Sequence, residues 1–146
     1  MPIPTLPPNE NFCAATLRFF DDASALVAAE RWDGAVYLSG YVRECALKYL
    51  LSAHTPGLAT LKDFGHDSAR MHHPLLNLAA SLTLREPRAL SLSLRTGCVL
   101  DHQHPHRRYW PAVWDSDDAD KALEMTQEIV RDLVIGTILD HGGALP

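Results

Sequence analysis

Residues 33–53, DGAVYLSGYVRECALKYLLSA, constrain this chain more than any other segment. Ala35, Leu38, Val42, Cys45 and Tyr49 recur at alternating spacings of three and four residues, the stripe that an amphipathic helix buries. Tyr37, Gly40, Tyr41, Glu44 and Lys48 fall together on a neighbouring face. That face is unusual for a plain bundle helix, because it combines aromatic rings, a glycine and a Glu→Lys pair at i,i+4. A glycine inside a helix costs ~1 kcal/mol relative to alanine, so close packing at Gly40 is the expected compensation. By spacing alone, Glu44 and Lys48 read as an exposed pair worth a few tenths of a kcal/mol.

The rest of the chain supplies the other helices. Residues 1–8 carry four prolines and are read with residues 9–11 as an extended arm. Asn9 or Asn11 caps a first helix running to about residue 31, with Leu17, Phe20, Ala23 and Val27 inward. Residues 32–34 form the turn into the second helix, and His54-Thr55-Pro56-Gly57 stops it. Asp67 is placed to cap a short turn, and Pro74 to begin a new helix with Leu75, Leu78 and Leu82 on its apolar side. Residues 89–100 alternate apolar and polar, but a lone strand has no partner, so helix or irregular structure is expected. Residues 101–114, broken by proline, read as a loop. Residues 116–118 cap a last helix carrying Ala122, Met125, Ile129, Leu133 and Gly136, which Gly142-Gly143 ends. The expected fold class is all-α: a mainly antiparallel bundle of four to five helices in one domain over residues 12–141, with a tail at 142–146.

Composition limits the function classes. The net charge of −5 counts against a broad nucleic-acid-binding surface, which normally shows clustered excess cations. A local basic cleft is compatible with it, and ten of the thirteen cationic side chains are arginine, suited to bidentate phosphate contacts. Cys13, Cys45 and Cys98 are odd in number and contain no C-x-x-C, so neither a disulfide framework nor a cysteine zinc site is indicated. The first residues lack a basic and apolar leader, and no apolar run reaches the ~18 residues of a membrane span. The expected location is a reducing cytoplasm.

The chemistry concentrates in residues 101–109, where three histidines, two arginines and a tyrosine fall together. His102, His104 and His106 alternate, which suits imidazole ligation of zinc or nickel. Pro105 stiffens the segment, however, and alternate loop residues need not converge, so no metal is assigned. Arg107-Arg108-Tyr109-Trp110 places a cationic fork beside stacking rings, a pattern for phosphate and base. The competing reading has the aromatics anchoring the loop and the arginines solvated.

Three blocks carry a family likeness: A-x-Y-L-x-G-Y-x-x-E-C-A-L-K at 35–48, Gly65-His66-Asp67, and Arg108-Tyr109 with Pro111. Together they resemble the HEPN family, small helical domains of prokaryotic defence and toxin–antitoxin systems, over residues 12–139. The resemblance implies a HEPN-like bundle forming a symmetric homodimer whose protomers share a cleft, with Glu44, beside Gly40, Tyr37 and Tyr41, in a groove or dimer interface rather than in an exposed pair. It further implies a metal-independent, cofactor-free endoribonuclease acting on single-stranded RNA, with a nucleotidyltransferase-type antitoxin as partner. Such enzymes carry an arginine followed after four to six residues by a histidine. Arg95 and His102 fit that spacing, although Thr96 and Gly97 stand where a polar Asn, Asp or His usually follows the arginine. Histidine would take the 2′-hydroxyl proton and arginine would stabilise the phosphorane. Arg108, Tyr109, Glu44, Lys48, His66 and Asp67 are the implied substrate-binding residues. The alternative is a non-catalytic HEPN module that binds a nucleotide, RNA or a protein partner.

Overall fold

The computed structural model describes residues 11–54, 64–66, 68–81, 97–136 and 138. Four α-helices occur among them: α1 (Phe12–Ala28), α2 (Trp32–His54), α3 (His72–Ser81) and α4 (Ser116–Glu128). A 3-10 turn (Ser68–Met71) leads into α3, another (His106–Tyr109) lies in the long loop, and α4 continues into a π-helical segment (Ile129–Ile135). No strand occurs among the described residues, so the all-α class holds. No described helix is long and apolar enough to cross a membrane. Residues 1–10 of the expected 1–11 arm, the Asp67 cap, Arg95, most of the alternating 89–100 segment and the Gly142-Gly143 stop lie outside the described residues.

Local chemistry sets the helix ends. Asn11 Oδ1 accepts from the Ala14 N–H at 2.9 Å, which caps α1. That helix ends earlier than the expected residue 31. Glu30 takes a left-handed conformation (φ 58°), the Arg31 N–H reaches Leu26 O and the Glu30 N–H reaches Val27 O. This paired arrangement closes a helix C-terminus. Trp32, expected in the turn, is instead the first residue of α2. Helix α3 starts two residues before Pro74, where the proline's missing N–H falls in the first turn and costs no helical hydrogen bond. Asp115, rather than residues 116–118, caps α4: it accepts from the Asp118 N–H at 3.0 Å while the Asp118 carboxylate reaches back to the Asp115 N–H at 3.5 Å.

Helix α2 is the centre of the molecule. Helix α1 and then α4 with its π-helical continuation make its main contacts. Leu47, Leu50 and Leu51 of α2 are fully buried with Met71, Leu75, Leu100, Ile129 and Val134. Burial does not stop at the apolar stripe, because Ser39, Gly40, Arg43, Glu44 and Lys48 are buried too. The loop between residues 97 and 114 covers Gly40, Arg43 and Glu44, and Phe12 of α1 lies against the Lys48 ammonium.

Candidate functional site

The loop is held on α2 by one buried cation. Arg107 donates from its guanidinium to Val36 O at 2.7 Å, Leu100 O at 3.2 Å and His102 O at 3.4 Å, and also to Val99 O. Burial lowers its pKa to about 10, so it stays charged at neutral pH. One guanidinium therefore ties a helix carbonyl to three loop carbonyls. Gly40 explains how the loop comes so close. A Cβ at this position would sit 2.7 Å from the Arg107 guanidinium and closer still to His104 Nδ1. The close packing expected at Gly40 is thus made by the chain's own loop. The near end of the loop is pinned by Asp101, which accepts from the Gly97 and Cys98 N–H groups at 3.1 and 2.9 Å and lies 3.8 Å from Arg43. The far end is pinned by Asp33, which accepts from the Val113 N–H at 2.9 Å.

Beneath the loop, Glu44 gathers three donors. Lys48 Nζ lies 2.8 Å from Oε1, His66 Nδ1 lies 3.1 Å from both oxygens, and His104 Nε2 lies 3.4 Å from Oε2. Burial alone would raise the carboxyl pKa, but hydrogen bonds from His104, Lys48 and His66 outweigh it and bring it to about 2. The pair is therefore no exposed surface bridge: the side chains of Lys48 and Glu44 are 9% and 5% exposed. His104 is held below its ordinary pKa, chiefly by burial, which keeps it neutral and donating from Nε2. Its Nδ1 is buried with no hydrogen-bond partner. His66 differs, with a side chain 54% exposed. Both Glu44 oxygens lie 3.1 Å from its Nδ1, the geometry in which that nitrogen carries a proton and donates.

Tyr41 joins this cluster to the surface. Its ring meets His104 at 4.6 Å and His66 at 5.7 Å, both edge-on, and its hydroxyl lies 3.1 Å from that of Tyr37. Burial, then Tyr37 and Glu44, push the Tyr41 hydroxyl well above its ordinary pKa, whereas the Arg108 charge acts in the opposite direction. Arg108 is exposed, its pKa is raised by the Tyr37 hydroxyl, and its guanidinium stands 4.7 Å from the Tyr109 ring centroid. Tyr37, Arg108, Trp110 and Trp114 line a small cavity of about 240 Å³. An exposed guanidinium, stacking rings and a carboxylate-oriented imidazole thus flank one tyrosine.

Of the residues singled out in sequence, Glu44, Lys48 and His66 meet directly, whereas Arg108 and Tyr109 meet each other and Arg108 interacts with Tyr37. Arg95 and Asp67 lie outside the described residues. His102 stands apart from the Glu44 cluster. It is exposed, and its ring faces Trp110 and Trp114 at 5.8 and 6.1 Å. The alternating histidines do not converge: His104 turns inward to Glu44, His102 turns to the tryptophans and His106 is exposed. Among the described residues no group of three or more His, Cys, Asp or Glu is placed to hold a metal ion. Sequence reasoning named His104 only as a metal candidate and Arg107 as half of a phosphate-binding fork, and missed that both turn inward, His104 to Glu44 and Arg107 to backbone carbonyls. The glycine at 40 was the available signal for a close partner, but nothing distinguishes Arg107 from Arg108 as a buried arginine. The reading of both arginines as solvated is corrected for Arg107, which is 5% exposed. Compared with known protein families, curated proteins and solved structures, the chain matches none.

Proposed function

We propose that this chain is a HEPN-like helical domain that cleaves single-stranded RNA without a metal, and that its chemistry belongs to His66 and Arg108. The observation that carries this reading is the half-exposed His66 imidazole, held through Nδ1 by both oxygens of buried Glu44 at 3.1 Å. An imidazole oriented by a carboxylate is a competent general base. Its Nε2 takes the 2′-hydroxyl proton, and the 2′-oxygen bonds to phosphorus. The 5′-oxygen leaves, taking a proton from water, and Arg108 stabilises the charge on the phosphorane. The products are a 2′,3′-cyclic phosphate and a 5′-hydroxyl. Tyr109 and Trp110 offer stacking surfaces for the neighbouring bases. The working unit is a twofold homodimer, a reading supported by exposed apolar surface at Tyr109, Trp110 and Val113. A nucleotidyltransferase-type antitoxin is the matching partner.

Arg95 and His102 are the other catalytic pair that the family likeness suggests. His102 is disfavoured because no carboxylate orients its ring, which faces Trp110 and Trp114, and because two carboxylates against one lysine line its cleft. A second functional reading, a non-catalytic module binding RNA or nucleotide, is favoured by one observation: Lys48 already neutralises Glu44 at 2.8 Å. One experiment separates the readings. Single-stranded RNA incubated with the protein in EDTA should yield 2′,3′-cyclic ends, and Arg108→Ala should slow cleavage by ~10²-fold or more. RNA binding that Arg108→Ala weakens, with no cleavage at any protein concentration, would establish the binding module instead.

A further inference from the structure

A larger cleft of about 600 Å³ is lined by His102, Trp114, Asp118, Lys121, Glu124 and Met125 among others, Trp114 being shared with the small cavity beside Arg108. Neither His66 nor Arg108, the residues of the proposed RNA chemistry, is in its lining. We infer that this cleft binds an organic cation, an alkylguanidinium or alkylammonium group. Its walls supply what such a group needs: aromatic rings, a polarisable thioether and carboxylates. Trp114 supplies the indole of the lining, with the buried Arg107 guanidinium 5.9 Å from its ring centroid. Glu124 is exposed and makes no ion pair among the described residues. Asp118 gives one oxygen to the Asp115 N–H and sits in the first turn of α4, where the helix dipole offsets part of its charge. Glu124 is therefore the principal counter-charge. Lys121 is the single lysine or arginine in the lining, so an anionic ligand would meet two carboxylates. Guanidinium fits better than ammonium, because it is planar, weakly hydrated and stacks on indole while pairing with a carboxylate. The cleft volume falls within the range of small-ligand sites. The group can come from an arginine side chain of a protein or from a free polyamine.

The test is calorimetric titration of the whole chain with N-acetylarginine amide, its neutral isostere N-acetylcitrulline amide, a tri-arginine peptide and spermidine. The arginine amide should bind saturably in the millimolar range, as expected of one small contact, and the citrulline amide should not. Glu124→Gln should weaken binding about three- to fivefold, the value of a partly exposed ion pair, and Lys121→Gln should tighten it. Asp120→Asn removes an exposed acid of the same helix outside the cleft and should change nothing. Tighter binding of the tri-arginine peptide than of spermidine would assign the protein source, and the reverse order the polyamine. Equal binding of the citrulline amide, equal losses in Glu124→Gln and Asp120→Asn, or no saturable binding would each overturn the inference. None of these readouts depends on RNA, so they stand whether or not the nuclease reading does.

Discussion

Gly40 is the residue on which the site depends. It lets His104 and Arg107 lie against α2, and His104 in turn completes the donor set around Glu44. A Cβ there meets the Arg107 guanidinium at 2.7 Å, and that group is held by four carbonyls, so it has little room to give way. Gly40→Ala should therefore destabilise the fold by about 1–3 kcal/mol, the usual cost of overpacking, despite alanine's better helix propensity. Urea unfolding monitored by circular dichroism measures this; an unchanged or higher midpoint would show that the loop does not press on α2. At this scale the sequence was partly legible. Glu44, Lys48 and His66 stood out because a charged pair and a Gly-His-Asp triplet are unusual beside an apolar stripe. His104 and Arg107 did not, because their partners are backbone carbonyls and a carboxylate 60 residues away, contacts with no local pattern.

At the scale of elements, α1 to α4 follow from apolar periodicity and capping, and their existence was legible. Their ends were less so, since a terminus depends on one residue's backbone conformation. Glu30 illustrates this: nothing in its identity announces a left-handed residue, yet it closes α1 at φ 58°. A non-glycine residue there costs roughly 1 kcal/mol, so Glu30→Gly should raise stability by about 0.5–1 kcal/mol, less whatever glycine adds to unfolded-chain entropy. Thermal melting tests this directly, and a lowered midpoint would contradict the assigned helix end. The loop over α2 is the element that sequence described least well. Proline and histidine marked it as irregular, but its burial of Glu44 depends on packing across the whole fold.

For the molecule as a whole, the buried cluster makes stability depend on acid. His104 is held below its ordinary value of 6.5 by burial, so the folded state binds fewer protons there. Its contribution is complete above pH 6.5 and is lost as pH falls. Glu44, brought from 4.5 to about 2, contributes fully above pH 4.5 and loses its share as pH falls toward 2. A shift of that size corresponds to up to about 3 kcal/mol. Urea midpoints should accordingly be steady above pH 6.5, decline below it and decline more steeply below pH 4.5; a midpoint independent of pH from 7 to 3 would contradict the cluster. The central claim, that catalysis rests on the Glu44-oriented imidazole, is tested by comparing two variants side by side. Single-turnover cleavage of a single-stranded RNA in EDTA should fall ~10²–10⁴-fold in His66→Ala, as expected for a lost general base, and stay near the parent rate in His102→Ala. The opposite pattern, with His102→Ala inactive and His66→Ala active, would contradict the claim and assign catalysis to His102.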